Sequence, residues 1–195
     1  VPSELIDRVI VAAGFGIEEM RDWATNAELP YEVVLSVEDE AMGTGGAIAL
    51  AREHLSGEGP VLVLNGDLVS SVEVESLLKH HKTTGALATL SLWEVEDPTE
   101  FGIVGLSKDH QGAIESGLSE GYISKFKEKP KLEEAFSSLI NAGLYIIEPE
   151  VMDLVPSGEK YDFSKQLFPD VLSRGWPMYA KTVNGIWFDV GHPFE

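Results

Sequence analysis

Two aspartates close apolar runs in distant parts of the chain: Asp67 in Leu64-Asn65-Gly66-Asp67 and Asp189 in Trp187-Phe188-Asp189-Val190-Gly191. Asp67 stands just past a short, wholly apolar run, Val-Leu-Val-Leu at 61–64. Such a run reads as a buried strand, and open α/β sheets bind ligands beyond the C-terminal ends of their strands. Gly66 permits a tight turn and the close approach of a ligand. Asp67 could hold a hard cation such as Mg²⁺, which prefers carboxylate oxygen and keeps some of its water. Asp189 is embedded in aromatic and aliphatic residues, where a buried acid must be paired or metal-bound. The two carboxylates could share one Mg²⁺. Each also has a plain reading, as a turn aspartate that caps the next helix (Asp67) or ends a strand (Asp189).

Two further constellations could bind rather than react. Ala41-Met42-Gly43-Thr44-Gly45-Gly46-Ala47 places three glycines at the start of a helix. Exposed N–H groups and the helix dipole there favour an anion or a flat, acceptor-rich base, and missing side chains let a base lie against the backbone. The Gly-Lys-Ser/Thr ending of a Walker loop is absent. The plain reading is a glycine-rich turn with Thr44 as N-cap. Glu128-Lys129-Pro130 ends a strand. Pro130 is expected to hold Lys129 extended, and a fixed lysine suits a phosphate as a point charge. Strict alternation sends Glu128 and Lys129 to opposite faces, so both serve one substrate only if the strand breaks or bulges there. The plain reading is a solvated charge cluster with Lys125 and Lys127.

Three weaker signals are set aside. Gly14-Phe15-Gly16 lacks the third glycine of a dinucleotide fingerprint, Glu19 standing there instead. Lys79-His80-His81-Lys82 reads as a solvated helix face rather than a metal site. His192 is an isolated histidine in a turn and receives no role.

The elements that must position these residues follow from periodicity. Strands are expected at 8–13, 31–37, 61–64 and 86–93, with helices at 17–27, 44–55 and 74–82 between them. This βαβαβαβ rhythm predicts an α/β fold with a doubly wound, mainly parallel sheet. After Asp97-Pro98 the rhythm changes. Strands at 103–106, 122–127 and 144–147 have less helix between them, and 107–121 reads as a long polar loop. Helices return at 149–154 and 164–174, with final strands at 178–183 and 186–190. One domain is expected, residues 1–97 forming a nucleotide-binding half and 98–195 a substrate-facing half.

Composition excludes several classes. The chain has 195 residues, no cysteine and a formal net charge of −19, so disulfides and thiolate metal sites are out. So much negative charge argues against nonspecific nucleic-acid binding, and any phosphate site must be local: backbone N–H groups, a few placed cations or a metal. No apolar run approaches the roughly 20 residues a bilayer requires, and no basic-then-apolar signal opens the chain, so no membrane partner and a cytoplasmic location are expected.

Taken in order, six motifs resemble the sugar-phosphate nucleotidylyltransferase family, whose members make NDP-sugars such as GDP-mannose and dTDP- or UDP-glucose. They are Gly-Thr-Gly-Gly-Ala at 43–47, Asn-Gly-Asp at 65–67, Phe-Gly-Ile-Val at 101–104, Glu-Lys-Pro at 128–130, Asn-Ala-Gly-Leu-Tyr at 141–145 and Trp-Phe-Asp-Val-Gly at 187–191. The resemblance implies a Rossmann-like, nucleotide-diphospho-sugar transferase type of sheet. It implies that Asp67 and Asp189 chelate Mg²⁺, that Gly43, Thr44, Gly46 and Gly66 bind the nucleotide, that Gly102, Glu128 and Asn141 contact the sugar, and that Lys129 contacts its phosphate. The sugar-phosphate oxygen would attack the α-phosphorus of an NTP in line, with pyrophosphate leaving. The substrates implied are an NTP and a sugar 1-phosphate, GTP with mannose 1-phosphate slightly ahead of dTTP or UTP with glucose 1-phosphate. Self-association is common in the family.

The sequence departs from the family's pattern in two places. Val1 falls beyond the glycine-rich loop that grips the triphosphate, so 9–13 is expected to match the family's second strand. A sheet without the family's central first strand leaves neighbouring backbone groups unpaired unless another segment fills the gap. His192 stands where threonine is common. Two other classes fit part of the pattern: a noncatalytic sugar-nucleotide-binding paralogue, and a glycosyltransferase of similar fold, whose usual Asp-x-Asp motif Asn65-Gly66-Asp67 does not supply.

Overall fold

The computed structural model describes residues 3–55, 57 and 59–191; His192 lies outside them. The chain divides into two compact units, Val1–Glu58 with Met152–Phe163, and Gly59–Val151 with Ser164–Glu195.

In the first unit, β1 (Arg8–Ala13) and β2 (Glu32–Val37) pair in parallel, Arg8 opposite Glu32 and Ala13 opposite Val37. Arg8 fastens this pair at its open end, its Nε 2.7 Å from Glu32 and its Nη1 donating to the His54 carbonyl at 2.6 Å. Between the strands runs α1 (Ile17–Asn26), which starts where Gly16 adopts a left-handed φ of 64°. Glu18 and Glu19 fill its first turn, where negative charge complements the helix dipole. After β2 comes α2 (Gly43–Ala51), a helix largely of small residues, continued by a short 3-10 turn at Arg52–His54.

The second unit carries β3 (Val61–Leu64), β4 (Leu68–Ser70), α3 (Val74–Thr84), β5 (Ala88–Glu94), β6 (Gly102–Ser107), β7 (Glu120–Glu128) and β8 (Leu139–Ile147). There follow α4 (Pro149–Met152), whose last residue falls in the first unit, then α5 (Phe168–Ser173), β9 (Met178–Thr182) and β10 (Trp187–Asp189). Six strands form one sheet in the order β3-β8-β5-β9-β7-β6, and an extra bridge between Ile103 and Ile140 joins β6 back to β8. Strands β6, β7, β9, β5 and β8 therefore close into a ring. Its strands are buried deeply: Leu90, Leu92, Ile103, Val104 and Ile140 are all shut off from solvent.

The fold is α/β and Rossmann-like, as the sequence leads one to expect. Within that class, β1–β2 and β5–β9 are parallel and the other pairings among the described residues are antiparallel. The physical reason is the second half of the chain. β6 and β7 are a hairpin, and β8 runs back between β3 and β5. β1 and β2 form a sheet of their own, and β3 is an edge strand paired only by β8 among the described residues.

Helix α3 covers one face through Val74 and Leu77, which pack on Leu144 and Ile146. His81 belongs to this packed side. It is 1% exposed, with Nδ1 2.8 Å from the Thr89 hydroxyl and Nε2 3.0 Å from a Glu148 carboxylate oxygen. Of residues 79–82, expected to form a solvated face, His81 alone is buried, because a bonded imidazole is tolerated inside where an unpaired one is not.

Candidate active site

The helix start at α2 is shaped by a close backbone approach within the first unit. A β-carbon on Gly43, whose φ is 75°, would lie 2.7 Å from the Tyr161 carbonyl oxygen. That oxygen accepts hydrogen bonds from Gly45 N–H (2.8 Å) and Gly46 N–H (3.1 Å). Two donors that could face an anion are therefore already engaged. Thr44 is not the N-cap; Met42 holds that position. The Thr44 hydroxyl instead accepts from Phe163 N–H at 3.0 Å and lies 3.4 Å from a carboxylate oxygen of Asp162. Helix geometry decides this, since Gly43 already has its left-handed turn one residue earlier and Thr44 falls inside the first turn.

In the second unit, Asp67 and Asp189 come together through two three-residue strands. β4 and β10 pair antiparallel, Leu68 opposite Asp189, and Val190 N–H donates to the Asp67 carbonyl at 2.8 Å. Both carboxylates converge on Gly191. A β-carbon there would sit 2.9 Å from Asp67 Oδ2 and 3.2 Å from Asp189 Oδ1. Asp189 is oriented by Gly191 N–H, which donates to its Oδ1 at 2.9 Å. Both acids have access to solvent. Among the described residues no set of three or more His, Cys, Asp or Glu could hold a metal by itself. Two convergent carboxylates with an open space beside them fit Mg²⁺, which binds one or two carboxylates and completes its shell with water and phosphate. Gly66 adds to this opening, since nothing lies within 4 Å of a β-carbon built on it.

Gly102 and Glu128 face each other across the β6–β7 hairpin. A β-carbon on Gly102 would lie 2.7 Å from Glu128 Oε2 and 2.7 Å from the Phe126 ring, so the glycine leaves room for that carboxylate. Strand β7 stops at Glu128, and Lys129 turns left-handed with φ 41° while its N–H donates to the Phe101 carbonyl at 2.9 Å. This overturns the expectation of an extended Lys129: the bond to Phe101 outweighs the preference imposed by Pro130. It also provides the strand break that the sequence reading requires for the two residues to act together. The Lys129 ammonium lies 3.6 Å from Glu100, both groups being mostly exposed.

Asn141 is held by its neighbours. Its Nδ2 lies 2.8 Å from the Tyr145 hydroxyl and 3.4 Å from that of Ser164, and its Oδ1 accepts from Gly143 N–H at 3.1 Å. Gly143, at φ 77°, stands where β8 shifts register against β5. Its carbonyl accepts from Asn65 N–H at 2.9 Å, and a β-carbon on it would overlap Leu68. Sequence reasoning quoted Gly143 and Gly191 within motifs but gave neither a part; a glycine inside a strand is itself the signal of a bulge or a close approach.

These residues form one connected group. The Trp187 indole donates to the Ala142 carbonyl at 3.0 Å and packs edge-on against Phe101 at 5.9 Å. Asn65-Gly66-Asp67, the β8 bulge, Asp189 and the Gly102–Glu128–Lys129 corner are thus joined by short contacts.

The Nucleotidyl transferase family model matches residues 4–194. Mannose-1-phosphate guanylyltransferase 1 of Arabidopsis thaliana is 33% identical over 193 residues, which is 96% of this chain and 49% of that protein. The chain spans about half the length of the curated relatives it matches. Among solved structures, UDP-glucose pyrophosphorylase from Acinetobacter baumanii superposes with a TM-score of 0.78 at 17% identity, covering 97% of this chain and 74% of the other. HddC from Yersinia pseudotuberculosis complexed with GMP-PN gives 0.72 at 20% identity, covering 97% and 76%. No helix among the described residues is long and apolar enough to cross a membrane. A family match over nearly the whole chain makes this chain a member of the Nucleotidyl transferase family.

Proposed function

We propose that this protein transfers a nucleotidyl group from an NTP to a sugar 1-phosphate, releasing pyrophosphate, with GTP and mannose 1-phosphate as the preferred pair. The observation that carries the reading is the convergence of Asp67 and Asp189 on Gly191, in one contact group with Glu128, Lys129 and Asn141. The preference for GTP and mannose rests on the names of relatives such as the guanylyltransferase of Arabidopsis thaliana.

In this reading Glu128 and Asn141 receive sugar hydroxyls, and Gly102 keeps the space beside Glu128 open. Lys129 takes the sugar phosphate and lowers its charge repulsion with the triphosphate. A phosphate oxygen attacks the α-phosphorus, the bond to the β-phosphate oxygen breaks, and pyrophosphate leaves. Asp67 and Asp189 are the residues that would hold Mg²⁺, which when bound neutralises charge developing on the phosphates. Gly43, Thr44 and Gly46 are assigned to the base, and Gly66 to the close approach of the nucleotide. Such chemistry is mostly positioning and charge neutralisation, and no covalent protein intermediate is required.

The test is pyrophosphate release with each NTP and dTTP, offered with mannose or glucose 1-phosphate, with and without Mg²⁺. Metal-dependent release is expected from the wild type. Asp67→Asn and Asp189→Asn should each lower it by at least about 100-fold with the fold intact. Undiminished rates in both variants, or no release from any pair, would refute the proposal.

A further inference from the structure

The closed ring of β6, β7, β9, β5 and β8 has a cavity at one end. Glu94 ends β5, Thr182 ends β9, Ser119 precedes β7 and Leu139 opens β8, and all four line it. Its volume is about 410 Å³, within the range of small-molecule sites. Segments 114–119 and 136–138 form its walls. These walls are tied to the ring by backbone bonds: Glu115 N–H to Leu106 O at 2.8 Å, Thr182 N–H to Ser119 O at 2.7 Å and Val95 N–H to Ser138 O at 3.1 Å.

The cavity lies at the loop end of the β6–β7 hairpin, whereas Gly102 and Glu128 close the other end. Along β6 and β8 the two places are near, Gly105 standing three residues from Gly102 and Leu139 two from Asn141, but none of Gly102, Glu128, Lys129 and Asn141 lines the cavity. It is therefore a different place from the sugar-phosphate residues of the proposed reaction.

Its chemistry is selective. No lysine, arginine or histidine lines it, and two carboxylates do, Glu94 and Glu115. Backbone and side-chain bonds from Lys108 hold the Glu115 carboxyl below the usual carboxylate range, and the Lys108 ammonium pairs with it at 3.0 Å. Hydroxyls of Ser116, Ser119, Ser137 and Ser138 supply small donors and acceptors. The Thr182 hydroxyl is shut off from solvent with no hydrogen-bond partner. On the remaining side, Ile114 and Phe136 lie over Gly105, where a β-carbon would meet them at 2.7 and 3.2 Å, and make an apolar wall.

We propose that this cavity is a second ligand site and that it takes a neutral, polyhydroxylated ring, an unphosphorylated sugar, whose hydroxyls bind Glu94 and the serines while its C–H face lies on Ile114 and Phe136. The inference does not depend on the proposed transfer reaction, whose failure would show in the pyrophosphate assay alone.

The test is titration with methyl α-D-mannopyranoside and methyl α-D-glucopyranoside, followed by calorimetry and amide chemical shifts. Saturable binding to the wild type is expected, with shifts at Ser119 and Leu139. Ser116→Trp fills the cavity from an exposed loop and should weaken binding at least tenfold; Glu94→Gln changes no volume and should weaken it severalfold. Asn141→Ala should leave it unchanged. No saturation with either glycoside would overturn the proposal. So would binding that survives Ser116→Trp and Glu94→Gln but disappears in Asn141→Ala, since the sugar would then be occupying the reaction site.

Discussion

Lys129 offers a direct measure of how much the site is held under strain. Its φ of 41° is a conformation that L-residues avoid, at a cost of roughly 1–2 kcal/mol. Alanine at this position removes the charge and keeps the strain, whereas glycine removes both. Glycine also loses more freedom on folding, which offsets roughly 0.5–1 kcal/mol of the relief. The ion pair with Glu100, at 3.6 Å between groups 57% and 79% exposed, disappears in both variants and cancels from the comparison. Lys129→Gly should therefore be about 0.5–1 kcal/mol more stable than Lys129→Ala, or about 1–4 °C in Tm for a chain of this size. Urea and thermal unfolding of the two variants give the difference. In steady-state kinetics both should raise KM for the sugar 1-phosphate, because both lack the ammonium. If alanine is as stable as glycine, position 129 carries no strain and the bond to Phe101 alone explains its geometry.

Three other outcomes are expected. Gly191→Ala places a methyl within about 3 Å of both carboxylates, so Mn²⁺ affinity measured by electron paramagnetic resonance should fall about tenfold or more while the metal-free melting temperature stays put. Gly143→Ala combines a left-handed φ with overlap on Leu68 and should cost about 2–4 kcal/mol in urea unfolding, Asn141 losing its anchor with it. Glu120 is held below the usual carboxylate range chiefly by its hydrogen bond from Lys181. Its contribution to stability is present above the ordinary glutamate pKa and lost as pH falls through the lowered value. The Tm gap between wild type and Glu120→Gln should hold near neutrality and close as the pH falls below the ordinary glutamate value of 4.5.

Much of the fold was legible because long periodic segments declare themselves. The bounds of β1 and β3 match the sequence reading, and α3 starts at the expected Val74. β8 was read only from residue 144 because Asn141 and Gly143 interrupt the apolar run; the bulge at Gly143 lets the strand begin at Leu139. β4 was missed altogether, since three residues show no period and only β10 fixes them. For the site, the motifs located the residues but not their conformations. Nothing local predicts that Phe101 bends Lys129 or that Tyr161 occupies the amides of Gly45 and Gly46, because those bonds come from distant segments. The meeting of Asp67 and Asp189 was implied by resemblance, and spacing alone would not have supplied it.

The two parts of the candidate site also hang from supports of unequal depth. β8 is paired by β3, β5 and β6, and it carries Asn141. Its amides open to exchange only when the ring itself opens, so in deuterated solvent they should be among the last to be replaced. Asp67 and Asp189 border a ladder of three residues a side with exposed Val69 and Phe188, whose amides should be replaced early. The place assigned to the sugar would then keep its shape over the slowest times of the molecule, while the two carboxylates regroup on a faster clock.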